Sequence, residues 1–182
     1  LGAGHGLTTG TAVIYKAGAA GSTSGSLGIG ASVALNIANI TALAEVADNV
    51  VLTGANNLTL TAHSIASART TTTAGGAAGG GKGVGIGGAI SLTVANNDTR
   101  AVFGSGSALN LSGDFSATAI HNGTTATLAD GAASGGAAAV GIALALNVAI
   151  DDTMATTNRE IIAGGDVTFA ATTISKSSSE AK

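Results

Sequence analysis

The chain has 182 residues, of which 45% are hydrophobic, 9% charged and only 2% aromatic; it has 29 Gly, no Pro, Cys or Trp, and a formal net charge of −3. An average domain carries about 25% charged residues, and a disordered chain is poor in apolar ones, so this composition belongs to neither. Disulfides and thiolate metal sites are excluded. The seven scattered cations, with no basic stripe, argue against nucleic acid or an anionic membrane surface as partner.

The N-terminal LGAGHGLTTG (1–10) lacks both an initiator Met and the basic n-region of a secretion signal. TAVIYKAGAAGSTSG (11–25) reads as the tail of an incomplete copy of a repeat, roughly residues 1–26. Three fuller copies follow, at about 27–83, 84–137 and 138–182. Their first segments align as LGIGASVALNIANITALA (27–44), VGIGGAISLTVANNDTRA (84–101) and AAVGIALALNVAIDDTMA (138–155). Large apolar residues alternate in each: Ile29, Val33, Leu35, Ile37; Ile86, Ile90, Leu92, Val94; Val140, Ile142, Leu144, Leu146, Val148. Period two predicts a strand. The uncharged run GAASGGAAAVGIALALNVAI (131–150), long enough for a membrane helix, is therefore expected to be the third copy of this strand, with no membrane span.

The intervening residues, such as Gly30, Ser32, Ala34, Asn36 and Ala38, are small and uncharged. A freely solvated face normally carries Lys, Glu or Arg. The expectation is a strand covered on both sides, or a small-residue face through which copies self-associate. A second strand is predicted at GANNLTLTA (54–62), SGDFSATA (112–119) and GGDVTFAA (164–171), each opened by a Gly and Asx turn. Short apolar pieces lie between the two strands, and Ser/Thr tracts such as ARTTTTAGGAAGGG (68–81) lead to the next copy. The whole is expected to be one all-β unit, a right-handed parallel β-helix, or β-solenoid, of about three repeats of roughly 55 residues. At about 18–25 residues per coil, each repeat would make two or three coils, with Val, Ile, Leu and Ala stacked inside.

GGGKGVGIGG (79–88) fits two phosphate signatures, G-x-G-x-x-G and the start of a P-loop. The first needs a following helix and the second a Ser or Thr after the Lys. Here a strand is predicted and Gly83 follows Lys82, so the glycines read as turn and close-packing residues. Of the histidines His5, His63 and His121, the last two fall near equivalent places and read as exposed strand residues. No nucleophile elbow and no cluster of acids with bases is present, so no catalytic residue and no cofactor is assigned. Asn96-Asn97-Asp98 and Ile150-Asp151-Asp152 read as equivalent acidic turns, which makes Asp98, Asp151 and Asp152 the candidate calcium ligands. Alternating Thr in LTLTA becomes FSATA and VTFAA, which breaks any ice-binding ladder.

The units GIGASVALNIAN and GIGGAISLTVANNDTRA, each followed by a GDFSATA-like strand and a Thr/Gly tract, resemble repeats of giant bacterial surface proteins, the filamentous haemagglutinin-like and leukotoxin-like adhesins. The resemblance covers nearly all of the chain. It implies export, an extracellular or cell-surface location, a rod-shaped right-handed parallel β-helix, and contact with other cells or surfaces. It carries no catalytic residues. The expected function is thus the stalk of a secreted or surface adhesin. The alternatives are a calcium- or glycan-binding solenoid repeat and a self-assembling fibre module.

Overall fold

The computed structural model describes residues 5–182 apart from Gly80; the side chains of residues 5–13 and of Thr23, and so the His5 imidazole, lie outside the described set. The chain is all-β, with strands β1 (His5–Thr23), β2 (Leu27–Val46), β3 (Leu58–Ala78), β4 (Val84–Phe103), β5 (Leu109–Leu111), β6 (Phe115–Ser134), β7 (Ala138–Thr157), β8 (Ile161–Ala163) and β9 (Val167–Ala181). Two long sheets face one another, ordered β1-β3-β6-β9 and β2-β4-β7; β5 and β8 form a short third one. Every pairing is parallel. This is a flattened parallel β-solenoid.

Each repeat makes one coil, not two or three. Leu27 pairs with Val84 and Val84 with Ala138, so one turn of the solenoid consumes a whole repeat. The coil is long because the polar tracts are strand too. Thr70 to Thr73 lie within β3, alternating in and out: Thr70 and Thr72 are fully buried, and Thr73 is exposed. A threonine run has the branched Cβ that suits a pleated strand, and its inward hydroxyls find partners across the core.

The faces are also inverted relative to expectation. Ser32, Ala34, Asn36 and Ala38 of β2 point between the sheets and are buried, whereas Ile29, Val33, Leu35 and Ile37 are 57, 67, 51 and 60% exposed. The small-residue face is therefore core and is closed to any partner. The cause is the closeness of the sheets. A Cβ added to Gly30 would come 1.9 Å from the Gly75 carbonyl oxygen, and one on Gly87 the same distance from that of Ala132. Sheets in ordinary sandwiches stand about 10 Å apart; here the facing backbones leave no room for a methyl group.

The gap widens along the strands. It is narrowest where arcs of three to five residues join β1 to β2, β3 to β4 and β6 to β7. In the middle, hydroxyls and amides bridge the sheets. Thr93 Oγ1 lies 2.6 Å from both Thr70 Oγ1 and Thr127 Oγ1, and the Asn147 amide donates to Thr125 Oγ1 at 3.0 Å and Ser177 Oγ at 2.9 Å. The far end is wide enough for Leu60, Phe103, Leu109 and Phe115, with Phe103 and Phe115 edge-to-face at 5.7 Å. Longer arcs carrying β5 and β8 close it.

Candidate functional site

The stretch at 79–88 sits at the narrow end. Residues 79–83 connect β3 to β4, and a strand follows, as expected. Gly85 and Gly87 face inward, where a Cβ would strike the backbone at Ser134 and Ala132. Gly80 lies outside the described residues. Lys82 is exposed. Among the described residues of this stretch no helix N-terminus is present to meet a phosphate.

Asp98, Asp151 and Asp152 are not in turns. They lie within β4 and β7, with Asp98 beside Asp152 and Asn97 beside Asp151. The pleat divides them. Asp98 and Asp152 share the outer face, where Arg100 holds both: its Nε donates to Asp98 Oδ1 at 2.6 Å and its Nη2 to Asp152 Oδ2 at 2.9 Å. These bonds, that to Asp98 first, raise the Arg100 pKa. Asp151 points inward, accepts from Asn97 Nδ2 at 2.6 Å, and lies 3.2 Å from His121 Nε2. Three carboxylates from equivalent places in two repeats thus serve two separate sets of partners, and Arg100 stands where a cation bridging Asp98 and Asp152 would sit. Among the described residues no group of three or more His, Asp or Glu is placed to hold a metal.

The two histidines part company. His121 pairs in register with Ser64, not His63, so His63 faces out and His121 in. His121 is fully buried, contrary to the expectation of an exposed residue. Gly123 makes room for it: a Cβ there would lie 2.6 Å from His121 Nε2. Its contact with Asp151 is within ion-pair reach but lacks hydrogen-bond alignment, and Nδ1 has no partner.

Sequence reasoning missed two devices at the wide end. Arg159, 8% exposed, stacks over the Phe103 ring at 4.4 Å. It donates to the carbonyls of Val50 at 2.7 Å and Ser105 at 2.8 Å, and also to those of Ala47 and Gly104, tying the arcs of two other coils together. Nothing in its sequence surroundings marks it. The second device was visible but unexplained. Asn57 Oδ1 accepts the Asp114 N–H at 2.7 Å, and Asp114 Oδ1 accepts the Asp166 N–H at 2.9 Å. A Cβ on Gly113 or Gly165 would lie 2.0 Å from the accepting oxygen below. The recurrent Gly-Asp turn is therefore an Asx ladder: the Asp caps the next coil, and the Gly clears space for the oxygen beneath. Asp48 plays a similar part, accepting from Ser105 Oγ at 2.8 Å and Ser105 N at 2.6 Å, and these bonds hold its carboxyl below the usual range.

An open depression of about 410 Å³ on the outside of β3, β6 and β9, lined by residues including Asn122, Thr124, Ile174 and Lys176, holds a single charge. No described helix is long and apolar enough to cross a membrane, and residues 131–150 lie in β6, a short arc and β7. No family model, curated protein or solved structure matches the chain.

Proposed function

We propose that this chain is a segment of the rod of a large secreted or surface-anchored bacterial adhesin, supplying reach and display rather than chemistry. The observation that carries this is the use of polar side chains. Asn57, Asp114, Thr93, Asn147 and Arg159 all spend their hydrogen bonds joining one coil or sheet to the next. Polar groups committed in this way stiffen a stack. The resemblance to filamentous haemagglutinin-like repeats supports the adhesin context and the cell-surface location. Calcium is the alternative that Asp98 and Asp152 would serve, and Arg100 already bridges them, which favours the rod.

Deletion of residues 84–137 from the full-length protein tests the proposal, because Ala138 then takes the register position of Val84 beside Leu27. Non-permeabilised cells should still display the protein, shorter by one coil, about 5 Å, and should still make contact with their targets. Loss of contact from a displayed, folded deletion protein would show that this segment carries a binding site of its own.

A further inference from the structure

Over Leu27 to Ile37 and their partners on β4 and β7, the outer face of this sheet is apolar, short of the Asp98, Arg100 and Asp152 group farther along it. Its side chains stack in ladders across the coils, Val33–Ile90–Leu144 and Leu35–Leu92–Leu146 among them. Exposure is not confined to the edge strands. Ile90, on the central strand, is 46% exposed, with Val33 at 67% and Leu144 at 55%. Over Leu27 to Ile37 and their partners on β4 and β7, the outward positions carry no charged residue.

We propose that this face pairs with the same face of a second copy of the chain, the two solenoid axes running parallel. Three observations select that occupant. The ladders form ridges along the solenoid axis, set about 7 Å apart because outward residues recur every second position. With strands antiparallel across the interface, the ridges of one copy fall into the furrows of the other, and the match continues through every added coil. A second copy presents the same ridges over the same number of coils, so the match runs the full length of the patch.

Area is the second observation. The eleven positions from Leu27 to Ile37, taken over three strands, cover about 520 Å² at ~3.3 Å per residue and ~4.8 Å between strands. A stable dimer buries about 800 Å² per partner. Three coils therefore give a concentration-dependent dimer, and each further coil adds to it. Third, the chemistry of the face disfavours other occupants. Over Leu27 to Ile37 and their partners it has no Lys or Arg for anionic lipid and no aromatic platform for glycan. The patch is at the upper end of what monomers leave exposed, a size that often marks an interaction site. The proposal is independent of the adhesin reading: a rod of any origin with this face would pair.

Sedimentation velocity from low to high micromolar concentration tests it, on the wild-type chain, on Ile90→Lys, on Leu35→Lys and on Thr73→Lys, the last on the outside of the opposite sheet. The wild type and Thr73→Lys should move reversibly from monomer to dimer. Ile90→Lys and Leu35→Lys should stay monomeric with unchanged far-UV circular dichroism, the Leu35 change serving as the second probe if the Ile90 change fails to fold. Because the chain has no Cys, Ile90→Cys should also form a disulfide dimer far faster than Thr73→Cys. A wild type that remains monomeric throughout overturns the proposal. So does association that survives both Lys changes, which would place the contact at the open coil edges. Binding of monomeric wild type to phosphatidylcholine vesicles, lost in Ile90→Lys, would assign the face to lipid instead.

Discussion

The two ends of each coil solve one packing problem in opposite ways. At the narrow end the sheets are held close by arcs of three to five residues, and the core there is backbone against backbone. At the wide end the arcs are longer, and the core is Leu60, Phe103 and Phe115 with an arginine over it. The inward glycines of the narrow end tolerate no added atom, and the wide end depends on large groups being present. A single solenoid therefore contains a region governed by steric exclusion and another governed by apolar burial and hydrogen bonding, and substitutions should separate the two.

The largest effect is expected at the narrow end. Gly87→Val places methyl groups into the Ala132 carbonyl, whose oxygen would lie 1.9 Å from the new Cβ. The obstacle is backbone on both sides, so the sheets must part, at a cost of more than about 4 kcal/mol. Its neighbour supplies the contrast. Gly88 points outward with nothing within 4 Å of an added Cβ, so Gly88→Val should change stability by less than about 0.5 kcal/mol, and a β-branched residue suits the strand. Thermal melts followed by far-UV circular dichroism decide the matter. Equal losses for the two changes would mean that the close approach at Gly87 does not hold in solution.

That contrast also shows how far the sequence can be read. Strand periodicity was plain, because residues such as Leu35, Leu92 and Leu146 alternate with small ones over long stretches and lie side by side in the fold. Which face was core could not be taken from hydrophobicity. Ile29 and Val33 look like core and are exposed; Ser32 and Asn36 look like surface and are buried. Sheet spacing decides this, and it is set by the arcs together with Gly30, Gly76 and Gly87, whose role appears only when the facing strand is in place. Coil length was misjudged for a related reason. The second strand was expected only over 54–62, with the Thr tract leading on to the next copy, whereas β3 continues through that tract and Thr70 reaches Thr93 across the core. Asp98, Asp151 and Asp152 looked like one ligand cluster because they occupy equivalent places in two copies. The pleat sends Asp151 to the opposite face from the other two, and that follows only from the register.

At the wide end the next largest effect belongs to Arg159. Arg159→Met keeps an unbranched apolar stem over Phe103 but removes every donor to the carbonyls of Ala47, Val50, Gly104 and Ser105. Because water can reach these arcs, the loss should be about 2 kcal/mol, below the cost of a fully buried orphan. It should also be local. Amide exchange should quicken in residues 47–52 and 104–106 while the β4 ladder keeps its protection. Faster exchange throughout β4 would show instead that the arginine holds the long sheets together.

The smallest effect concerns pH at the same end. Asp48 accepts two hydrogen bonds from Ser105, which depress its pKa below the ordinary 3.8, with the Arg159 charge adding to the depression. A group whose folded pKa is depressed contributes stability that is complete above its unfolded pKa and is lost as pH falls through the folded value. The contribution should therefore be intact at neutral pH and disappear in strong acid, below about pH 4. Asp48→Asn retains an acceptor for Ser105 but has no proton to gain, so its melting temperature should fall less steeply than the wild type's between neutral pH and strong acid. Asp114 and Asp166 remain in both proteins, so the difference between the two slopes isolates Asp48. Identical slopes would mean that Ser105 binds the protonated carboxyl as well as the ionised one. The arc joining β2 to β3 would then be held by its backbone hydrogen bonds to the next coil, Asn49 N–H to Ser105 and Gly104 N–H to Val46, rather than by the charge.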